Sequence, residues 1–343
     1  MALENVCIIG SGNWGSAIAK IVGETTSKHS DVFNPTVRQW VFEETINGEK
    51  LTDIINTKHE NVKYLAGVTL PSNVVAIPDV VEACKDATLI VFVLPHQFVR
   101  GVCEKMKGHF APNARAISLI KGLEITSDGT RLFSEEISRV LDIPCSALSG
   151  ANIADEVARE KFCESTVGCT NMQDGAVFHK LFDTPYFRIN VIQDHVGVQL
   201  CGALKNVVAV GAGLSDGLGY GSNTKAAIIR RGLMEMRKFG QTFFGDVVKT
   251  ETFFESCGVA DLITTCSAGR NRKVAEAFAK TGQPIEKLEA ELLNGQKLQG
   301  TLTAQEVHEF LSARGMVDQF PLFHTVYRII YEGLDTQAIV RDI

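Results

Sequence analysis

The stretch Val6-Cys7-Ile8-Ile9-Gly10-Ser11-Gly12-Asn13-Trp14-Gly15-Ser16-Ala17-Ile18-Ala19 decides the fold. A short apolar run enters G-x-G-x-x-G directly, and a helical pattern follows at once. In that order of strand, tight turn and helix, each glycine has its own task. Gly10 permits the turn, Gly12 lets a pyrophosphate approach the backbone, and Gly15 lets the helix lie close to the strand. The helix start then presents amide donors and the positive end of its dipole to phosphates. A glycine pattern alone says little, but this placement favours a dinucleotide site over an ordinary tight turn.

Outward from this loop, β-rich runs alternate with helical stretches. Strands are expected at Val6–Gly10, Val37–Phe42, Thr88–Leu94, Ala114–Ile120, Cys145–Leu148, Thr166–Cys169 and Phe187–Ile192. The run Leu89-Ile90-Val91-Phe92-Val93-Leu94 is continuously apolar, as a parallel strand buried on both faces requires. The alternation predicts an α/β fold, a Rossmann-type doubly wound sheet over residues 1–193 that binds NAD. From 194 to 343 the pattern turns helical, with stretches such as Asn223–Phe239, Arg272–Lys280 and Gln305–Ala313. An all-α domain that binds substrate and carries the catalytic groups is expected there.

The chain has 343 residues, 45% of them hydrophobic, so two domains with sizeable cores are the default. A net charge of −6 gives no general attraction to nucleic acid or to an acidic membrane, and neither is expected as a partner. Any bound anion must meet a local basic cluster. The start MALENVCIIG lacks the basic and long apolar regions of a secretory leader, so a cytoplasmic location is expected. Nine cysteines without a C-x-x-C pair, and histidines without H-x-x-x-H spacing, predict reduced thiols and no metal site.

The expected strand Val37–Phe42 ends in Glu43-Glu44. An acid there can accept from ribose hydroxyls and favours NAD over NADP, although two solvated glutamates are the plain alternative. The spacing from Gly15 is long, and a hydrophilic insertion around residues 24–36 would account for it. Ligands bind at the carboxyl ends of such strands, where His96, Phe98, Lys121 and the segment Gly150–Ala154 fall. His96 reads first as a turn histidine.

The catalytic candidate lies in Val196–Leu214, VGVQLCGALKNVVAVGAGL, where only Gln199, Lys205 and Asn206 are polar. A helix apolar nearly all round is buried, and a lysine in it calls for a partner or a function. Burial lowers a lysine pKa toward the range of a usable base. A snorkelling amine is the alternative. In Ala260–Thr265, Asp261, Thr264 and Thr265 share a helical face, so Asp261 either orients Lys205 or caps its own helix. The cations Arg270, Arg272 and Lys273 open another helix beside Asn271, forming a phosphate cradle or a solvated basic turn.

The segments GSGNWG, LPHQF, LIKG, GANIADE, CGALKNVVAVGAG, NTKAA, CGVADLITTC, GRNRKVAEAF and LNGQKLQG together resemble the eukaryotic NAD-dependent glycerol-3-phosphate dehydrogenase family. The resemblance runs from residue 10 to about residue 300. It implies NAD as cofactor, a homodimer, and reversible hydride transfer between NADH and C2 of dihydroxyacetone phosphate. It implies Lys205 as the proton acceptor, with Lys121 and Asp261 beside it. It implies Arg270 and Asn271 on the substrate phosphate, joined by Asn206 and Thr265. Contacts to NAD are implied for Gly10, Ser11, Gly12, Asn13, Trp14, Gly15, Phe42, Phe98, Ala154, Arg270, Lys297 and Gln299. Thr301-Leu302 and Arg231 depart from the pattern. Two other readings stay open: a related hydroxyacid dehydrogenase taking a carboxylate, and an NADH-sensing module without turnover.

Overall fold

The computed structural model describes residues 2–126, 129–293 and 297–343. It divides into two compact units, one of residues 1–120 and 132–195, the other of residues 121–131 and 196–343.

The first unit is built on an eight-stranded sheet. Its strands are β1 (Glu4–Ile9), β2 (Phe33–Trp40), β3 (Val74–Ile77), β4 (Leu89–Phe92), β5 (Arg115–Ser118), β6 (Cys145–Gly150), β7 (Cys163–Gly168) and β8 (Phe187–Ile192). They lie in the order β8-β7-β6-β5-β4-β1-β2-β3, parallel except where β6 meets β7. The side-chain period of two sends alternate residues to opposite faces. Val6, Ile8, Leu89 and Val91 therefore join one core with helix α1 (Asn13–Lys28). Cys7, Ile9, Ile90 and Phe92 join another, with the helices Val80–Cys84, Val99–Met106 and Phe133–Leu141. Each large apolar side chain so buried is worth about 1.5–3 kcal/mol. The strand order reverses at β1, between β2 and β4, and the glycine loop leaves the sheet at that point.

Two features differ from the expectation. No insertion separates Gly15 from the second strand: α1 runs on to Lys28, and β2 begins at Phe33. Thr25 and Thr26, which read as hydrophilic, are buried, and the Thr26 hydroxyl donates to the Pro35 carbonyl at 3.0 Å. The edge strand β3 was not anticipated, because four residues between Pro71 and Pro78 carry too little pattern.

The second unit is mainly helical. Its long elements are α2 (His195–Gly217), α3 (Ser222–Phe244), α4 (Asp261–Ala268), α5 (Arg270–Thr281), α6 (Gln299–Ser312) and α7 (Pro321–Tyr331). Helix α2 is long and apolar enough to cross a membrane by composition, yet its most apolar window is wholly buried inside the protein. Its glycines permit close helix packing. A Cβ on Gly213 would stand 2.3 Å from the Arg272 carbonyl oxygen, and one on Gly217 would stand 2.5 Å from that of Glu276.

A single cut at residue 193 does not describe the division, since residues 121–131 group with the second unit. They form most of a hairpin, Leu123–Thr126 with Gly129–Leu132, whose first strand packs on α6. The buried Leu123 and Ile125 hold it there. Lys121 thus belongs to the same unit as Lys205.

Candidate functional site

In the first unit the glycine loop is shaped by contacts that leave no room for side chains. Gly10 has φ +124°, and a Cβ there would stand 2.3 Å from the Val93 carbonyl oxygen. A Cβ on Gly15 would stand 2.6 Å from the Gly10 oxygen. Gly12 differs, because a Cβ there would meet nothing within 4 Å. Gly12 is also the N-cap of α1, with no side chain capping the helix and no acid in its first turn. The first amides of α1 therefore keep their donors for an anion above Gly12. This surface fits the pyrophosphate of a dinucleotide.

Side chains brace the loop, and two of them, Gln39 and Asn61, were not singled out by the sequence. The buried Gln39 donates to the carbonyls of Gly10 at 2.9 Å and Gly15 at 3.2 Å. Asn61 donates to the Ser11 carbonyl and the Ser16 hydroxyl, both at 2.9 Å, and Asn13 donates to the Tyr64 carbonyl at 2.8 Å. The available signal was Gln39 itself, a polar residue at an inward position of a buried strand.

Phe42 and Phe98 follow β2 and the β4 turn and are exposed, 69% and 54%, as apolar surfaces for a flat ligand must be. Ala154 opens the short helix Ala154–Ala158 and is half-buried. Trp14 turns inward instead, its ring 6.0 Å from that of Phe187, so it offers a ligand backbone rather than indole. The two glutamates expected at the ribose have protein partners. Glu43 accepts from the Thr52 amide and hydroxyl, and Glu44 accepts from Lys63 and Tyr64. His96 stacks on Phe133 at 5.4 Å, in keeping with a turn histidine.

In the second unit, Lys205 and Asp261 meet although 56 residues separate them. The Lys205 Nζ lies 2.6 Å from Asp261 Oδ1 and 2.8 Å from the Thr265 hydroxyl, while the Lys121 Nζ lies 3.1 Å from Asp261 Oδ2. Lys205 and Asp261 are buried, and the Lys121 side chain is 28% exposed. Asp261 thus orients Lys205 rather than capping its helix. A π-helical turn at Ser256–Ala260 delivers Asp261 to this place, a distortion common near functional sites. Its Gly258 has no room for a side chain, since a Cβ would stand 2.3 Å from the Phe253 oxygen.

Two lysines around one carboxylate leave an excess positive charge in a place with little water. Burial, and then the Lys121 ammonium, pull the Lys205 pKa down to about 8, against the upward pull of Asp261. Burial raises Asp261, but Lys121 and Lys205 outweigh it and hold the carboxyl below its ordinary value. Burial, reinforced by Lys121, thus outweighs Asp261 and brings Lys205 toward a titratable base near neutral pH.

Next to the cluster, Asn206 and Asn271 form a relay. Asn271 Nδ2 donates to Asn206 Oδ1 at 3.0 Å, and Asn271 Oδ1 accepts from the Gly300 amide at 2.9 Å. Arg270 is exposed on the first turn of α5, whose N-cap Gly269 provides no side-chain cap. Arg272 is committed elsewhere, pairing with Asp216 at 2.7 Å and Glu276 at 2.8 Å, and Asp216 also holds Lys225. Of the basic turn, Arg270 and Lys273 face outward. Lys297 pairs with Glu289 at 2.8 Å, and Gln299 donates to the Thr303 hydroxyl at 3.3 Å. Residues 294–296 of the LNGQKLQG segment lie outside the described residues. Thr301 is buried in the first turn of α6, donating to the Leu298 carbonyl at 3.0 Å, with its own carbonyl accepting from Tyr331.

Comparison with known proteins gives consistent matches. Residues 5–175 match the family model for the N-terminus of NAD-dependent glycerol-3-phosphate dehydrogenase, and residues 194–341 match that for its C-terminus. The cytoplasmic NAD(+) glycerol-3-phosphate dehydrogenase of Homo sapiens is 60% identical over 97% of this chain and 95% of its own. The solved glycerol-3-phosphate dehydrogenase of Saccharomyces cerevisiae has a TM-score of 0.95 and 50% identity, covering 98% of both chains. That of Plasmodium falciparum has a TM-score of 0.95 at 42% identity, covering 100% of this chain and 95% of its own.

Proposed function

The chain belongs to the NAD-dependent glycerol-3-phosphate dehydrogenase family, and on that premise we propose that it interconverts dihydroxyacetone phosphate and sn-glycerol 3-phosphate with Lys205 as acid and base. The observation that carries the role of Lys205 is its burial against Asp261 and Lys121 with a pKa drawn down to about 8. The nicotinamide cofactor supplies or takes up the hydride at C2.

In reduction, negative charge develops on the C2 oxygen as the carbonyl π bond opens. The ammonium groups of Lys205 and Lys121 oppose that charge, and Lys205 gives the oxygen its proton. In oxidation neutral Lys205 removes the hydroxyl proton. Asp261 fixes the Lys205 amine through one oxygen and Lys121 through the other, while Thr265 receives a second proton of the same amine.

Arg270 and the open amides at the start of α5 bind the substrate phosphate, and Asn271 and Asn206 hold that start against Gly300. Anchoring a phosphate remote from C2 fixes the reacting carbon in place. This favours a phosphorylated substrate over a hydroxyacid. The loop Gly10–Gly15 takes the pyrophosphate, and Phe42, Phe98, Ala154, Lys297 and Gln299 complete the cofactor contacts in this reading. A cytoplasmic homodimer belongs to the same reading, supported by the family's likeness and the names of its relatives.

The test is NADH oxidation by the purified chain with dihydroxyacetone phosphate, beside unphosphorylated dihydroxyacetone. Rapid turnover with the first alone is the expected result. NADH binding without turnover on either would overturn the reading.

A further inference from the structure

Helix α3 carries a basic cluster that the proposed reaction leaves unused. Arg230, Arg231, Arg237 and Lys238, with Gln241 and Thr242, line a cavity of about 470 Å³. The cavity is largely open to solvent, so a ligand there would be held by charge rather than by enclosure. Arg231, Lys238 and Thr242 share a face by the spacing of seven and four, and Arg230 and Arg237 follow the same spacing along its flank.

The charge around this cavity is unbalanced in a chain of net charge −6. Among the described residues no carboxylate forms an ion pair with Arg230, Arg231 or Arg237, nor with Lys238, which donates to the Gln319 carbonyl at 3.0 Å. The one acid in the lining is Glu235. Its two oxygens accept the amides of Leu322 at 2.7 Å and Phe323 at 3.0 Å, at the start of α7. The Nε of Arg237 is sealed from solvent without a hydrogen-bond partner. That atom is closed to a ligand in the cavity, and it is the cations themselves that call for an anion. Four like charges within about two turns of one helix repel one another, and an anion between them relieves that repulsion.

The spacing narrows the class of anion. Arg230 and Arg237, like Arg231 and Lys238, stand seven residues apart, about 10 Å along the helix axis. One phosphate cannot bridge that span, whereas a short chain of phosphates can. Arginine forks suit phosphate oxygens in pairs. We propose that the α3 cavity binds a small multivalent anion of the polyphosphate class, separately from the Arg270 turn.

The experiment is calorimetric titration of the full-length protein with inorganic tripolyphosphate, in saturating NADH so that the nucleotide loop is filled. Wild type and Arg270→Ala are compared with the double variant Arg231→Leu/Arg237→Leu, whose NADH oxidation and melting temperature report folding. One anion per chain is expected for wild type and for Arg270→Ala, with equal affinity. The double variant should bind at least about tenfold more weakly, as loss of hydrogen bonds from charged groups implies. Should the double variant misfold, Arg231→Lys keeps the charge, loses the fork, and is expected to weaken binding several-fold. No binding by wild type, or binding lost in Arg270→Ala but kept in the α3 variants, overturns the proposal.

Discussion

The nucleotide loop of the first unit is made of backbone, with Gly10, Gly12 and Gly15 shaping a bare turn and α1 supplying amides. The cluster of the second unit is made of side chains, Lys121, Lys205, Asp261 and Thr265, brought together from distant parts of the chain. A backbone site depends on local geometry and on the absence of side chains, and tolerates changes in its surroundings. A side-chain site depends on tertiary packing, on burial, and on the identity of each charge. In the proposed reading the first binds by shape and the second acts through a tuned proton. Mutations should therefore separate cofactor binding at the loop from chemistry at the cluster.

The largest separation is expected for Lys205→Ala. Loss of a general acid and base lowers kcat by about 10²–10⁴-fold. NADH affinity, measured by fluorescence titration, should stay within about twofold, because the loop shares no residue with the cluster. An unchanged kcat would remove Lys205 from the mechanism.

Arg270→Ala follows. Hydrogen bonds to charged groups are worth about 1.5–3 kcal/mol, so KM for dihydroxyacetone phosphate should rise about 10–100-fold. The effect on kcat should be smaller than that of Lys205→Ala. Steady-state kinetics with equal losses in both parameters would move Arg270 from binding into chemistry.

The smallest effect belongs to Gln39→Leu. It deletes two bonds that brace Gly10 and Gly15, each worth about 0.5–1.5 kcal/mol, without touching any lysine of the cluster. NADH should bind several-fold more weakly at unchanged kcat. A fall in kcat at saturating NADH would mean that the loop does more than bind.

The same contrast explains what the sequence made legible. Strand alternation and the glycine loop are local, so β1, β4 and the turn at Gly10 could be read directly. Lys205 stood out because a lysine in an apolar helix is anomalous. That Lys121 groups with the second unit, and that it lowers the Lys205 pKa, depends on the path of residues 121–131 and has no local signature. The family resemblance named Lys121 without giving its effect. Glu43 shows the opposite failure. The strand-end position suited a ribose contact, but Thr52 takes its carboxylate from nine residues away. Gln39, Asn61 and Asp216 were passed over because a bracing residue is recognisable only once its partners are in place.

The most direct test of the central claim is the pH dependence of kcat/KM in both reaction directions. Lys205 has its pKa lowered from 10.5 to about 8, so it is mainly protonated below that value and mainly neutral above it. Oxidation of glycerol 3-phosphate needs the neutral amine, and its rate should rise with pH through about 8. Reduction of dihydroxyacetone phosphate needs the ammonium, and its rate should fall through the same region. In Asp261→Asn both midpoints should move to lower pH by about 1–3 units, since the carboxylate that favours the ammonium is gone. Opposed profiles that shift together in this variant are the predicted result. Profiles that are flat across this range, or that stay in place when Asp261 is neutralised, would contradict the assignment of the proton to Lys205.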